Sequence, residues 1–385
     1  MGTRRDLLSG LAAVGTVALA GCTGNSFSPG SDGGTEWPAP AATPEATSYV
    51  ADAAAPRTPP IERWREPVGP ATGRPVVADG TVLVPTGDGL VAIDLRTGEQ
   101  RWSGGGDTYG VCVHEGTVYA TLRNEPATVA RDVVDGTERW RVSNGSSFGA
   151  APLVAPAGDR VYVGDTGGVV AAYGTREGEE LWRFDAFTGV YSLATDQDSL
   201  FVGTTGGEAY QLHAPRADAT PLWRRKLPGT VRALAVDGNA VYASTFGGGL
   251  FKLARGAATG RTEWHARRAA TASESIVATG NAAFTVDAER TTAVDAGDGG
   301  IDWSRTVDAP SKPSAPAAAG DTLYVGVDGA LRALALGGGT GVEGLSFGSE
   351  RWSYEASVSA AAVADGAVIA ACDDLDDEAT VVALE

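Results

Sequence analysis

After residue 60 the chain is built from short runs in which apolar and polar side chains alternate with a period of two, the signature of strands with one buried face. In residues 75–102, PVVADGTVLVPTGDGLVAIDLRTGEQRW, valine-rich runs flank Asp79-Gly80, whose positive φ angles suit a tight hairpin. The third run ends in an aspartate; glycine follows four residues later and tryptophan four after that, as in Asp94/Gly98/Trp102, Asp132/Gly136/Trp140 and Asp295/Gly299/Trp303. Aspartate can bond its side chain to the backbone two residues on and glycine can turn left-handed, so the pair specifies a turn into a fourth strand. The unit predicted is a small sheet of four antiparallel strands.

That unit repeats. Trp64, Trp102, Trp140, Trp182, Trp223, Trp264, Trp303 and Trp352 are separated by 38, 38, 42, 41, 41, 39 and 49 residues. Such a period belongs to propeller blades. A second marker keeps register: Leu83, Tyr119, Tyr162, Phe201, Tyr242, Phe284, Tyr324 and Ile369 occupy one equivalent position. The pattern predicts an all-β, eight-bladed propeller of four-stranded antiparallel blades, its tryptophans filling the wedge between blades. The last copy (359–385) holds three strands and no tryptophan, whereas Trp64 stands before the first copy. A strand around residues 61–66 is therefore expected to complete the final blade and remove an open sheet edge. The predicted propeller spans 61–385, and 337–350 reads as an inserted loop, although a degenerate unit there would change the blade count.

VPTGDGLVAIDLRTGEQRW (84–102) and LYVGVDGALRALAL (323–336) resemble the pyrroloquinoline quinone (PQQ) propeller repeat, and the likeness extends over nearly all of 61–385. Gly174 and Gly256 stand in the aspartate place, and HAPRADATPLW (213–223) has neither aspartate nor glycine at the expected offsets. The resemblance implies the fold. It leaves function open, because such repeats occur in quinone-dependent dehydrogenases and in scaffolding lipoproteins, including the propeller lipoprotein of the barrel-assembly machinery.

The N-terminus carries an address. Arg4 and Arg5 precede an apolar run (7–20) that ends in Leu19-Ala20-Gly21-Cys22. The run is shorter than the roughly 20 residues a membrane-spanning helix needs. It resembles a twin-arginine export signal (1–21) joined to a lipobox, which implies export of folded protein and lipidation of Cys22. Residues 22–60, rich in Gly, Ser, Thr, Pro and Ala, read as the lipidated cysteine and a flexible tether, with no role assigned to Trp37. The expected location is extracytoplasmic, at the cell surface, anchored to the cytoplasmic membrane.

Net charge is −18, with 48 acidic against 30 basic side chains, of which three are lysines. The excess suits a soluble surface in concentrated salt, resembles haloarchaeal composition, and argues against nucleic acid as a partner. A monomer is expected.

Residues that carry chemistry are few. Cys112 and Cys372 fall in distant repeats and are expected as buried thiols; His114, His213 and His265 lack metal-ligand spacing. The acidic runs Asp373–Glu378 and Asp295/Asp298 lack the spacing of a calcium loop and read as solvated turns. Quinone-dependent alcohol dehydrogenases hold PQQ between a tryptophan and a Cys-Cys disulfide beside calcium; no Cys-Cys pair occurs in this sequence. No catalytic residue, metal site or cofactor is expected, neither PQQ nor Ca2+, and the primary reading is a binding and scaffold module with unidentified protein partners. Two alternatives stand: a PQQ-dependent oxidoreductase or other small-ligand enzyme, which polar side chains converging at one channel mouth would favour, and a carbohydrate-binding surface protein, for which Phe148, Phe187, Tyr191, Phe246 and Phe347 are candidate exposed aromatics.

Overall fold

The computed structural model describes residues 35–385 except 147–149, 156, 214–218, 257–259, 273, 308–313, 339, 343–344, 348 and 374–378. Eight antiparallel sheets form the blades of a propeller, seven of them with their four blade strands in sequence order from the axis outward. In the first, Val76–Ala78, Thr81–Thr86, Gly89–Asp94 and Gln100–Gly105 pair in succession. The inner three strands are almost wholly buried, and the fourth alternates exposed and half-buried residues.

The ring closes as the strand pattern requires. Glu62–Pro67 pairs antiparallel with Thr380–Leu384, completing the sheet that begins at Val358–Ala364. The 337–350 stretch holds a short hairpin, Thr340–Val342 with Leu345–Phe347, between the third and fourth strands of blade seven, so the count stays at eight.

Five of the interfaces between blades share one motif. Trp64, Trp102, Trp140, Trp264 and Trp303 donate their indole N–H groups to the carbonyls of Leu95, Val133, Thr175, Ala296 and Leu336 in the next blade, at 2.8–3.1 Å. The turn glycine beside that carbonyl lies flat on the ring. A Cβ on Gly136 would stand 2.8 Å from Trp102, and Gly136 has φ +73. Glycine is thus required twice over, for its backbone and for the missing side chain. Where the fourth repeat lacks the glycine, Ala219 takes its place with φ 44, fully buried in the apolar cluster that includes Trp182. The aromatic of the second strand closes the wedge from within the blade, as in Tyr242 against Trp264 with ring centroids 5.9 Å apart.

Residues 35–60, read from composition as part of a tether, are instead packed on the propeller. The carbonyls of Thr35, Trp37, Pro38, Pro44, Glu45, Thr47 and Ser48 accept hydrogen bonds from Asp365, Val77, Val113, Thr195, Val236, Ala278 and Ala318, at or just past the ends of first strands in seven different blades. This strap makes a circuit of the axis. It then adds Tyr49–Val50 in parallel to Ala317–Ala319, and the Pro56 carbonyl receives both Tyr324 Oη and Trp352 Nε1 at 2.9 Å. Pro56 thereby occupies, between blades seven and eight, the acceptor position that a turn carbonyl fills elsewhere. Trp37 is fully buried. Composition misleads because the strap is held by main-chain bonds to strands distant in sequence, which need no apolar periodicity.

Candidate functional site

Antiparallel order gives the ring two distinct faces. First-to-second and third-to-fourth turns share one face with the strap; connectors between blades and second-to-third turns share the other. On the strap face the axis is crossed by residues 39–46. On the opposite face it opens into a cavity of about 340 Å³, floored by Ala39, Pro40, Ala41 and Thr43 and walled by the starts of first strands.

Its polar groups come from different blades. Arg74, in the connector into blade one, donates to the Pro40 carbonyl (3.2 Å) and lies 3.5 Å from the Glu274 carboxylate. Arg123, at the second-to-third turn of blade two, sits 5.1 Å over the Tyr109 ring. Arg232, on the first strand of blade five, is held between Tyr191 (5.4 Å) and Phe246 (5.1 Å). Burial, then the charge on Glu274, pushes the Tyr109 hydroxyl up to about 12. It therefore stays protonated at neutral pH.

Beyond the cavity this face carries Phe187 and Phe246, 71% and 64% exposed. Arg224 covers Phe187 at 4.0 Å and pairs with Glu208, which also receives Thr204 and Lys226. Burial works to raise the Glu208 pKa, but these hydrogen bonds outweigh it and hold the carboxyl at about 2.

The tryptophans lie between blades, outside the cavity lining. Cys112 and Cys372 are buried thiols outside any disulfide, in blades two and eight. His265 stacks on Phe251, and His114 lines a separate recess on the strap face with Asp159 and Glu179. Asp295 and Asp298 accept backbone amides of their own turn. Among the described residues no group of three or more His, Cys, Asp and Glu is placed to hold a metal ion. The cavity lining thus supplies neither a tryptophan platform nor a cysteine pair to hold PQQ. Arg4, Arg5, Cys22, Phe148 and 374–378 lie outside the described residues. Sequence reasoning missed Arg74, Arg123 and Arg232, which occupy unrelated positions within their repeats.

Fold and site define a β-propeller closed on one face by its own N-terminal strap and recessed on the other. The chain belongs to the family described as outer membrane protein assembly factor BamB, whose profile matches residues 32–134, 61–183 and 166–385. The BamB structure from Moraxella catarrhalis superposes with TM-score 0.67 at 16% identity, over 85% of this chain and 100% of that one. Quinohemoprotein alcohol dehydrogenase ADHIIG from Pseudomonas putida HK5 gives 0.71 at 14% identity, over 91% of this chain and 80% of that one. The serine/threonine-protein kinase AfsK of Streptomyces griseus is 31% identical over 126 residues, 29% of this chain and 15% of the kinase. The chain thus spans a small part of that relative's length, and the two structural likenesses speak to fold alone.

Proposed function

We propose that this protein is an exported lipoprotein, anchored through Cys22, whose propeller serves as a non-catalytic binding scaffold presenting its open face to a protein partner. The observation that carries the reading is the asymmetry of the two faces. The strap covers the axis on one; exposed Phe187 and Phe246, backed by arginines, rim the recess on the other. Aromatic and arginine side chains of this kind are enriched at protein interfaces. Membership in a family described as an assembly factor supports the same reading.

Anchoring sets orientation. Only residues 23–34 separate Cys22 from Thr35, which is bound at the strap face. Even fully extended they reach at most about 45 Å. Because the tether leaves from the strap face, we infer that this face is turned to the lipid and the open face outward, in an acidic, salt-adapted protein delivered folded by the twin-arginine signal.

The test is cross-linking capture from detergent-solubilised membranes in high salt. Phe187→Ala with Phe246→Ala is expected to abolish capture of partners that Val134→Ala, on the strap face, leaves in place. Identical capture by both variants refutes the open-face scaffold. Cys22→Ser is expected to move the protein from the membrane to the soluble fraction, and retention in the membrane fraction refutes the lipid anchor.

A further inference from the structure

We infer that the recess at the open face is a binding site for a small dianion, a molecule with two carboxylate or phosphate groups, distinct from any protein docking on the rim. Three arginines and one glutamate line it, so a chain of net charge −18 concentrates two positive charges at one end of its axis. Arg74 is partly neutralised by Glu274, whose side chain is 52% exposed. Among the described residues Arg123 and Arg232 have no carboxylate within 4 Å; each lies instead over an aromatic ring. Several arginines elsewhere in the fold find acids within their own blade, as Arg101 finds Asp94, Arg139 finds Asp132 and Arg183 finds Glu180.

The geometry of Arg232 is specific. Its guanidinium is fixed between Tyr191 and Phe246, and its Nε is shielded from solvent with no hydrogen-bond partner among the described residues. A buried donor left without an acceptor is costly, and an anion entering the recess would satisfy it. Planar guanidinium forks match carboxylate and phosphate oxygens two at a time. Arg232 Nη1 lies 3.5 Å from Tyr191 Oη, so the remaining N–H groups of the fork are those that meet a ligand. The strap supplies the floor, so the recess is closed behind the ligand.

Size selects against a macromolecule inside the recess. At about 340 Å³ it falls at the lower end of small-molecule pockets, about 300–1,000 Å³. Two unneutralised arginines specify two anionic groups, and the aromatic walls tolerate an apolar body between them.

Full-length protein in detergent is titrated calorimetrically with succinate in one arm and propane-1,3-diol bisphosphate in the other, at constant ionic strength because salt screens such contacts. One-to-one saturable binding is expected in at least one arm, and the arm that binds identifies the anionic group. Arg123→Gln and Arg232→Gln are each expected to weaken it about 10- to 100-fold, the worth of one charge-assisted hydrogen bond. Arg176→Gln, an exposed arginine on the strap face, leaves it unchanged, and melting curves of all three variants report that the ring stays folded. Absence of saturable binding in both arms, or binding that survives both substitutions in folded protein, overturns the inference. Partner capture is a separate readout, so failure of the scaffold and failure of the anion site are told apart.

Discussion

Replacing Trp37 by alanine tests whether the strap is an integral part of the ring. Trp37 is fully buried and its backbone pairs with Val77 on the first strand of blade one. A buried tryptophan hides about 150–250 Å², worth about 4–6 kcal/mol at ~25 cal/mol per Å². Its Nε1, however, is buried with no hydrogen-bond partner among the described residues. Removing that orphan donor returns about 1–3 kcal/mol, leaving a net loss of about 1–5 kcal/mol. If the strap is released as one unit, the amides of Val113, Thr195, Val236, Ala278 and Ala318, all bonded to strap carbonyls, lose protection together. Hydrogen exchange there should accelerate between about 5-fold and about 4,000-fold, while amides of the second strands, such as Val82 and Val118, change little. Unchanged exchange at those five positions would refute the reasoning, since it would mean that each contact holds independently of Trp37.

Gly136→Ala meets the Trp102 ring and a φ of +73, so it should cost about 1–2 kcal/mol of backbone strain plus about 1–3 kcal/mol of overpacking; Gly116→Ala, at φ +67 with open space around it, should cost the strain alone. Equal denaturation midpoints for the two variants would dismiss the ring-contact argument. Glu208, held at about 2, contributes stability that is present above the ordinary carboxylate range and lost as pH falls from about 5 towards 2. Glu208→Gln should flatten that part of an acid-unfolding curve, and a curve of unchanged shape would contradict it. Glu45 has the opposite sign: burial, together with the charge of Asp196, raises its pKa against the bonds it accepts and the charge of Arg255. The stability tied to it is present at acid pH and lost as pH rises through the raised value, so Glu45→Gln should slow exchange of the Val236 amide at pH 7; no change in that rate would rule the effect out.

Blade number, strand order and ring closure were legible because each depends on chemistry that recurs at fixed offsets. Asp94 accepts the Arg96 and Thr97 amides of its own turn, Gly98 turns left-handed four residues later, and Trp64 waits in the preceding blade to be covered. The incomplete last repeat likewise announced that Glu62–Pro67 would fill the empty edge.

The strap and the recess were decided only by tertiary structure. Alanines and prolines of residues 38–48 carry no pattern that marks them as packed, because their hold on the ring is through backbone carbonyls, which every residue possesses. Arg74, Arg123 and Arg232 stand 49 and 109 residues apart at a connector, a turn and a strand, positions without a common place in the repeat. Periodicity exposes what each blade does alike; these arginines meet because closing the ring brings the axial ends of different blades together, and that convergence exists only once the circle is complete.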